Sequence, residues 1–158
     1  MFDQRAALSP ILLSAVPAKT TAPRNSIAVE DYLERILELI NSKGYARVVD
    51  IATSLKISQA SVTNMAQRLD LEGLLKYEKY RGLMLTAAGE SLARKIARRH
   101  QLLTDFLQLL GLDQRVIDHD VEGMEHHISP ATLRAIEALT EQLRRRPALV
   151  AQLNGAQD

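Results

Sequence analysis

In the stretch DVEGMEHH, residues 120–127, Glu122, Glu125 and His126 stand at i, i+3 and i+4 and share one face if the segment is helical. Two carboxylates and an imidazole on one face are metal-ligand chemistry. Asp31 and Glu34 form a second acidic pair at i, i+3 on an earlier amphipathic stretch, and His100 lies on a third stretch between the two in the chain. Each cluster has a plain alternative: Asp31 and Glu34 read alone are first-turn acids that suit a helix dipole, His100 alone is an ordinary histidine, and helix surfaces are rich in Glu. Apolar packing, however, gives no reason to gather four carboxylates and two imidazoles, because like charges repel and buried acids need counter-charge. Divalent cations supply it. Oxygen-rich ligation with imidazole suits Mn²⁺ or Fe²⁺, and Zn²⁺ can also bind. Six side chains exceed the protein ligands that one octahedral ion with bound water needs, so a binuclear site is expected, two ions per subunit. His119 and His127 are given no ligand role.

The elements that must position these groups follow from periodicity. Ile27, Tyr32, Ile36, Leu39 and Ile40 recur at helical spacing between a Ser26 N-cap and a Gly44 stop. A helix over Val48 to Leu55, a tight turn, and a Ser58-capped helix to about Glu72 make a helix-turn-helix. Leu74 to Glu78 and Leu83 to Thr86 read as strands reversed around Lys79 to Gly82, a candidate wing. Thr86 then caps a long helix to Leu110, followed by helices over Asp113 to His127 and Pro130 to Arg146, the last capped by Ser129. The fold class expected is mainly α: an N-terminal winged helix-turn-helix domain at 27–88 and a helical metal-binding and dimerisation domain at 89–146. Residues 1–26, with Pro10, Pro17 and Pro23, read as a mobile extension, and 147–158 as a flexible tail.

Across Val48 to Glu72, Ile51, Leu55, Ile57, Val62, Met65 and Leu69 can face one core, leaving Gln59, Ser61, Thr63, Asn64 and Arg68 on the outer surface of the third helix. Short polar side chains at a helix start are what major-groove reading requires, with Gln59 and Asn64 as base readers. Arg68, and Lys79 with Arg81 at the hairpin tip, are placed for flanking phosphates. A solvated three-helix bundle would share the turn; the basic-tipped hairpin directly after it favours double-stranded operator DNA.

Composition bounds the rest. The 158 residues are 46% hydrophobic and 25% charged, globular values for one domain or two small ones. With no cysteine there is no disulfide, thiolate nucleophile or iron–sulfur cluster, so metal must sit on His, Asp and Glu. A net charge of +1 announces no nucleic-acid partner by itself, and no apolar run approaches a bilayer span. Ala6 to Ala18 is mildly apolar, but Asp3 and Pro10 weaken it as a leader. No P-loop, dinucleotide fingerprint, nucleophile elbow or HExxH spacing is present.

Taken in order, EDYLERI, KGYARVVDIA, SVTNM, YEKYRGLMLT, RRHQLL and DVEGMEHH resemble the signature segments of the diphtheria toxin repressor family, in particular its manganese-responsive members, over roughly Val29 to Ala138. That resemblance implies a cytoplasmic homodimeric repressor, not an enzyme, with Mn²⁺ as co-repressor and manganese transport genes as targets. It carries metal-ligand roles onto Asp31, Glu34, His100, Glu122, Glu125 and His126. Asp31 and Glu122 stand where iron-responsive relatives have Met and Cys, which favours manganese. By the resemblance Glu34 and Glu125 bridge two ions, with Glu122 and His126 nearer one and Asp31 and His100 nearer the other. Two features depart from that pattern: the N-terminal extension is longer than in compact members, and the tail from Arg144 is expected to be too short for the SH3-like third domain of the iron-responsive branch. Two readings compete: a two-ion hydrolase, and a winged-helix regulator indifferent to metal. Dimer contacts are expected on the apolar faces of Val116 to Leu139.

Overall fold

The computed structural model describes residues 27–78 and 82–155. The 1–26 extension and the Lys79 and Arg81 phosphate contacts lie outside the described residues. Helix α1 (Ile27–Lys43) buries Val29, Tyr32, Leu33, Ile36, Leu37 and Leu39, a stripe at helical spacing, and Gly44 closes it with φ +79°. Helices α2 (Val48–Leu55) and α3 (Gln59–Leu71) are joined through Lys56, which takes a left-handed conformation, and through Ser58, whose hydroxyl accepts the Ser61 N–H at 3.1 Å. Val62, Ala66 and Leu69 are the buried face of α3. Ile57, placed in the core by the sequence reading, is exposed instead, because the turn from Lys56 into Ser58 carries it past the end of the α2 face.

Strands β1 (Leu75–Glu78) and β2 (Gly82–Leu85) pair antiparallel, Leu75 opposite Leu85 and Glu78 opposite Gly82. The second strand starts one residue earlier than its sequence pattern suggests and stops before Thr86, because that residue is the cap of α4 (Ala87–Leu109). Its hydroxyl accepts the Gly89 N–H at 3.1 Å and donates to the Gly73 carbonyl at 2.7 Å, tying the helix to the hairpin. Gly89 is there for space: a Cβ would sit 1.8 Å from the Leu74 carbonyl oxygen, which already accepts the Thr86 N–H. Gly89→Ala must push the α4 start off the hairpin and is expected to cost about 3 kcal/mol, read as a lowered denaturant midpoint with unchanged slope.

Helix α4 serves two apolar cores. Ala93 and Ile96 complete the cluster built from α1, α2, α3 and the hairpin, whereas Leu103 and Leu107 pack with Ile117 and Val121 of α5 (Gln114–Glu125) and with flanking side chains of α6 (Pro130–Arg144). His100 falls between these cores. The chain beyond Arg146 is not a frayed tail: Pro147–Asn154 forms α7. Proline at its first turn suits a helix start, and the Asn154 side-chain amide lies against the end of α4, where, turned with its nitrogen toward the helix, it donates to the Leu110 carbonyl at 3.0 Å.

Candidate metal centre and nucleic-acid face

Three helices meet where the two cores join. The first turns of α1 present Asp31 and Glu34, the middle of α4 presents His100, and the last turn of α5 presents Glu122 and Glu125, with His126 as its C-cap. All six candidate ligands are brought together, in two groups of three whose ligand atoms lie within 4.8 Å of one another: Asp31, Glu122 and His126, and Glu34, His100 and Glu125. Asp31 is therefore grouped with His126 and not with His100. The helix crossing decides this, since Asp31 lies nearer the α1 start and faces the end of α5, while Glu34, one turn on, faces α4.

Glu125 links the groups. Its side chain is 1% exposed; Oε2 accepts from His100 Nδ1 at 2.9 Å, and Oε1 lies 3.5 Å from His126 Nε2. His100 Nδ1 is also 3.9 Å from Glu34 Oε1. Electrostatically the cluster is short of positive charge. Burial pushes the Asp31 carboxyl above its ordinary value, and the charges of Glu122, Glu125 and Glu30 add to the rise against His126. Burial likewise raises Glu34, with Glu125 reinforcing it. His100 is raised chiefly by its hydrogen bond to Glu125, against its own desolvation.

The residues present fit a divalent cation. His126 Nε2 is buried without a hydrogen-bond partner and lies 3.4 Å from Asp31 Oδ1, so a ring nitrogen and carboxylate oxygens face the same space. Sequence reasoning missed two groups beside it. Glu30 Oε2 accepts from Arg99 Nη2 at 2.5 Å and from His126 Nδ1 at 3.0 Å. Neither has a motif signature, because each partner lies far away in the chain.

The nucleic-acid candidates lie elsewhere. Gln59, Ser61, Thr63, Asn64 and Arg68 are all exposed on α3. Some are already engaged: Ser61 shares a hydrogen bond with Ser58, Thr63 donates to the Gln59 carbonyl, and Arg68 Nε donates to Glu72 at 2.8 Å. Gln59 and Asn64 are the amides facing outward.

Comparison with known proteins places this geometry. Residues 26–83 match "Iron dependent repressor, N-terminal DNA binding domain", and 86–149 match "Iron dependent repressor, metal binding and dimerisation domain". The HTH-type transcriptional regulator MntR of Lysinibacillus sphaericus (strain C3-41) is 46% identical over 129 residues, which span 82% of this chain and 93% of the relative. The chain belongs to the diphtheria toxin repressor family. MntR of Shouchella clausii (strain KSM-K16), another relative, is 54% identical over 65% of this chain and 71% of its own. Solved repressor-family structures agree in fold: ScaR with bound Zn²⁺ at TM-score 0.62 and 31% identity, and the manganese regulator SloR at 0.62 and 30%. Each covers 71% of this chain, which spans only 53% of each solved chain. Like the family, this protein is a DNA-binding transcriptional regulator that binds divalent metal, and it is not an enzyme. Among its described residues no helix is long and apolar enough to cross a membrane.

Proposed function

We propose that this repressor-family protein is a cytoplasmic homodimer that binds operator DNA when Mn²⁺ is plentiful and so represses manganese transport genes. The observation that carries the reading is the all-oxygen-and-nitrogen cluster, in which six candidate ligands from three helices converge in two groups of three, one of them containing the buried His126 Nε2, which makes no hydrogen bond. Two Mn²⁺ ions per subunit suit it, one at Asp31, Glu122 and His126 and one at Glu34, His100 and Glu125, with Glu125 between them. Bound there, divalent cations supply the positive charge that the converging carboxylates lack.

What the protein's own residues do follows from their helices. Asp31 and Glu34 belong to the DNA-binding unit, residues 27–88, while His100, Glu122, Glu125 and His126 belong to the unit at 89–146. With the six groups held together, α1 is fixed against α4 and α5. The spacing of the two α3 helices in a dimer is fixed with it. Val116 and Leu139, 43% and 48% exposed, lie on apolar faces of α5 and α6 suited to the second copy. Metal that favours the DNA-competent arrangement must, by linkage, be bound more tightly when DNA is present.

The test is selection of duplexes from a random-sequence library with Mn²⁺, then affinity measurement on the selected duplex with Mn²⁺ and with chelator. Binding that requires Mn²⁺ supports the reading; equal binding in chelator returns the metal-indifferent regulator. On that duplex Asn64→Ala is expected to cost about 1–3 kcal/mol and to relax preference at a single base position. Arg68→Ala instead weakens all sequences alike and lowers the salt dependence. Reselection with each variant distinguishes the two effects.

A further inference from the structure

Glu30 and Arg99 have no part in the metal-ligand set, yet they are tied to it. We propose that they are positioning residues that place the ring proton of His126 on Nδ1, so that Nε2 is a bare acceptor toward the metal centre. The proposal deepens the metal-centre reading and rests on it.

Glu30 adjoins Asp31 in the chain but uses its side chain differently, lying against Arg99 Nη2 at 2.5 Å and His126 Nδ1 at 3.0 Å through the same oxygen. The three side chains are 16%, 20% and 5% exposed, so water competes little for these bonds. A carboxylate oxygen held by a guanidinium accepts and does not donate; the ring nitrogen facing it must carry the hydrogen. The other nitrogen makes no hydrogen bond: Asp31 Oδ1 at 3.4 Å and Glu125 Oε1 at 3.5 Å are near, but neither is bonded to it. In a neutral imidazole one nitrogen donates and the other accepts, so the Glu30 contact fixes both roles. Carboxylate partners of this kind orient a metal-binding histidine and raise its basicity. Arg99 keeps Glu30 turned toward the ring, so that this carboxylate acts through His126.

The test uses the full chain labelled with ¹⁵N-histidine and stripped of metal, with the four histidines assigned by single substitution, His126→Gln among them. Long-range ¹H–¹⁵N correlation at about pH 8 reads the ring-proton position without metal, where ordinary histidines are neutral. The expected wild-type result is a His126 ring protonated on Nδ1 and bare on Nε2. In Glu30→Gln the Nε2–H form should rise, and Mn²⁺ affinity by calorimetry should fall about 10–100-fold with unchanged circular dichroism. A purely structural ion pair would leave the tautomer where it was. A wild-type ring protonated on Nε2, or unchanged Mn²⁺ affinity in Glu30→Gln, overturns the proposal. If that variant does not fold, the wild-type spectrum still decides. Wild-type protein that binds no Mn²⁺ overturns the metal-centre reading instead, and the two failures are distinct because the ring proton is read in the absence of metal.

Discussion

Glu125→Gln is expected to lose Mn²⁺ binding by at least about 100-fold and Mn²⁺-dependent DNA binding with it, while the metal-free protein becomes no less stable at neutral pH. The two halves of this result have one cause. Glu125 is a buried carboxylate set between both candidate triads, bonded to His100 through one oxygen and facing His126 with the other. An amide cannot replace its charge at either ion. In the absence of metal the same charge repels the Asp31 and Glu34 carboxylates, raising both toward protonation, while its hydrogen bond to His100 works the other way. Removing it relieves that repulsion, and the Gln oxygen can still accept from His100 Nδ1. A variant that fails only because it misfolds would lower both quantities, so calorimetric titration and a denaturant melt on the same sample tell the cases apart. Unchanged Mn²⁺ affinity would contradict the placement of Glu125 between the ions.

The second large effect is a pH dependence of opposite sign in the metal-free and metal-loaded protein. Asp31, Glu34 and His100 are all raised in the folded state, by burial for the carboxyls and by the Glu125 hydrogen bond for the imidazole. A group whose folded value lies above its unfolded value gives stability that is present below the unfolded value and is lost as pH rises through the folded one. Metal-free protein should therefore gain stability from these groups as pH falls from above their raised values toward their ordinary ones. Metal binding must expel those protons, so its affinity falls over the same window. Each tenfold loss removes about 1.4 kcal/mol of metal-derived stabilisation at fixed excess Mn²⁺. The Mn²⁺-induced rise in Tm is thus expected to shrink as pH falls from above the raised values of these groups toward their ordinary ones, from both directions at once. A rise that stays constant across that range would mean that these three groups keep their protons when Mn²⁺ binds.

Much of this was legible in the residues. The convergence of the candidate ligands could be anticipated because ExxEH and the Asp31–Glu34 pair each occupy one helical face, a local property of sequence. The helix boundaries were marked by Ser58, Thr86 and Ser129, each of which caps its helix as its type and position suggest. What could not be read depends on chain crossings. Whether Asp31 belongs with His126 or His100 is decided by how α1 crosses α5 and α4, and no spacing within one helix encodes that. Glu30 looks like one more first-turn acid until Arg99 and His126, 69 and 96 residues away, close on it. Helix α7 is short, with no charged residue and no side-chain capping hydrogen bond at its start. Its place depends on tertiary contact, including Asn154 against the end of α4.

The central claim is that the junction of α1, α4 and α5 is a two-ion manganese centre. Titration of metal-stripped protein with Mn²⁺, followed by electron paramagnetic resonance, tests it most directly. Two ions per chain and a spectrum from spin-coupled ions are expected, both lost in Glu125→Gln. A single uncoupled ion per chain, or no binding at micromolar Mn²⁺, would contradict it.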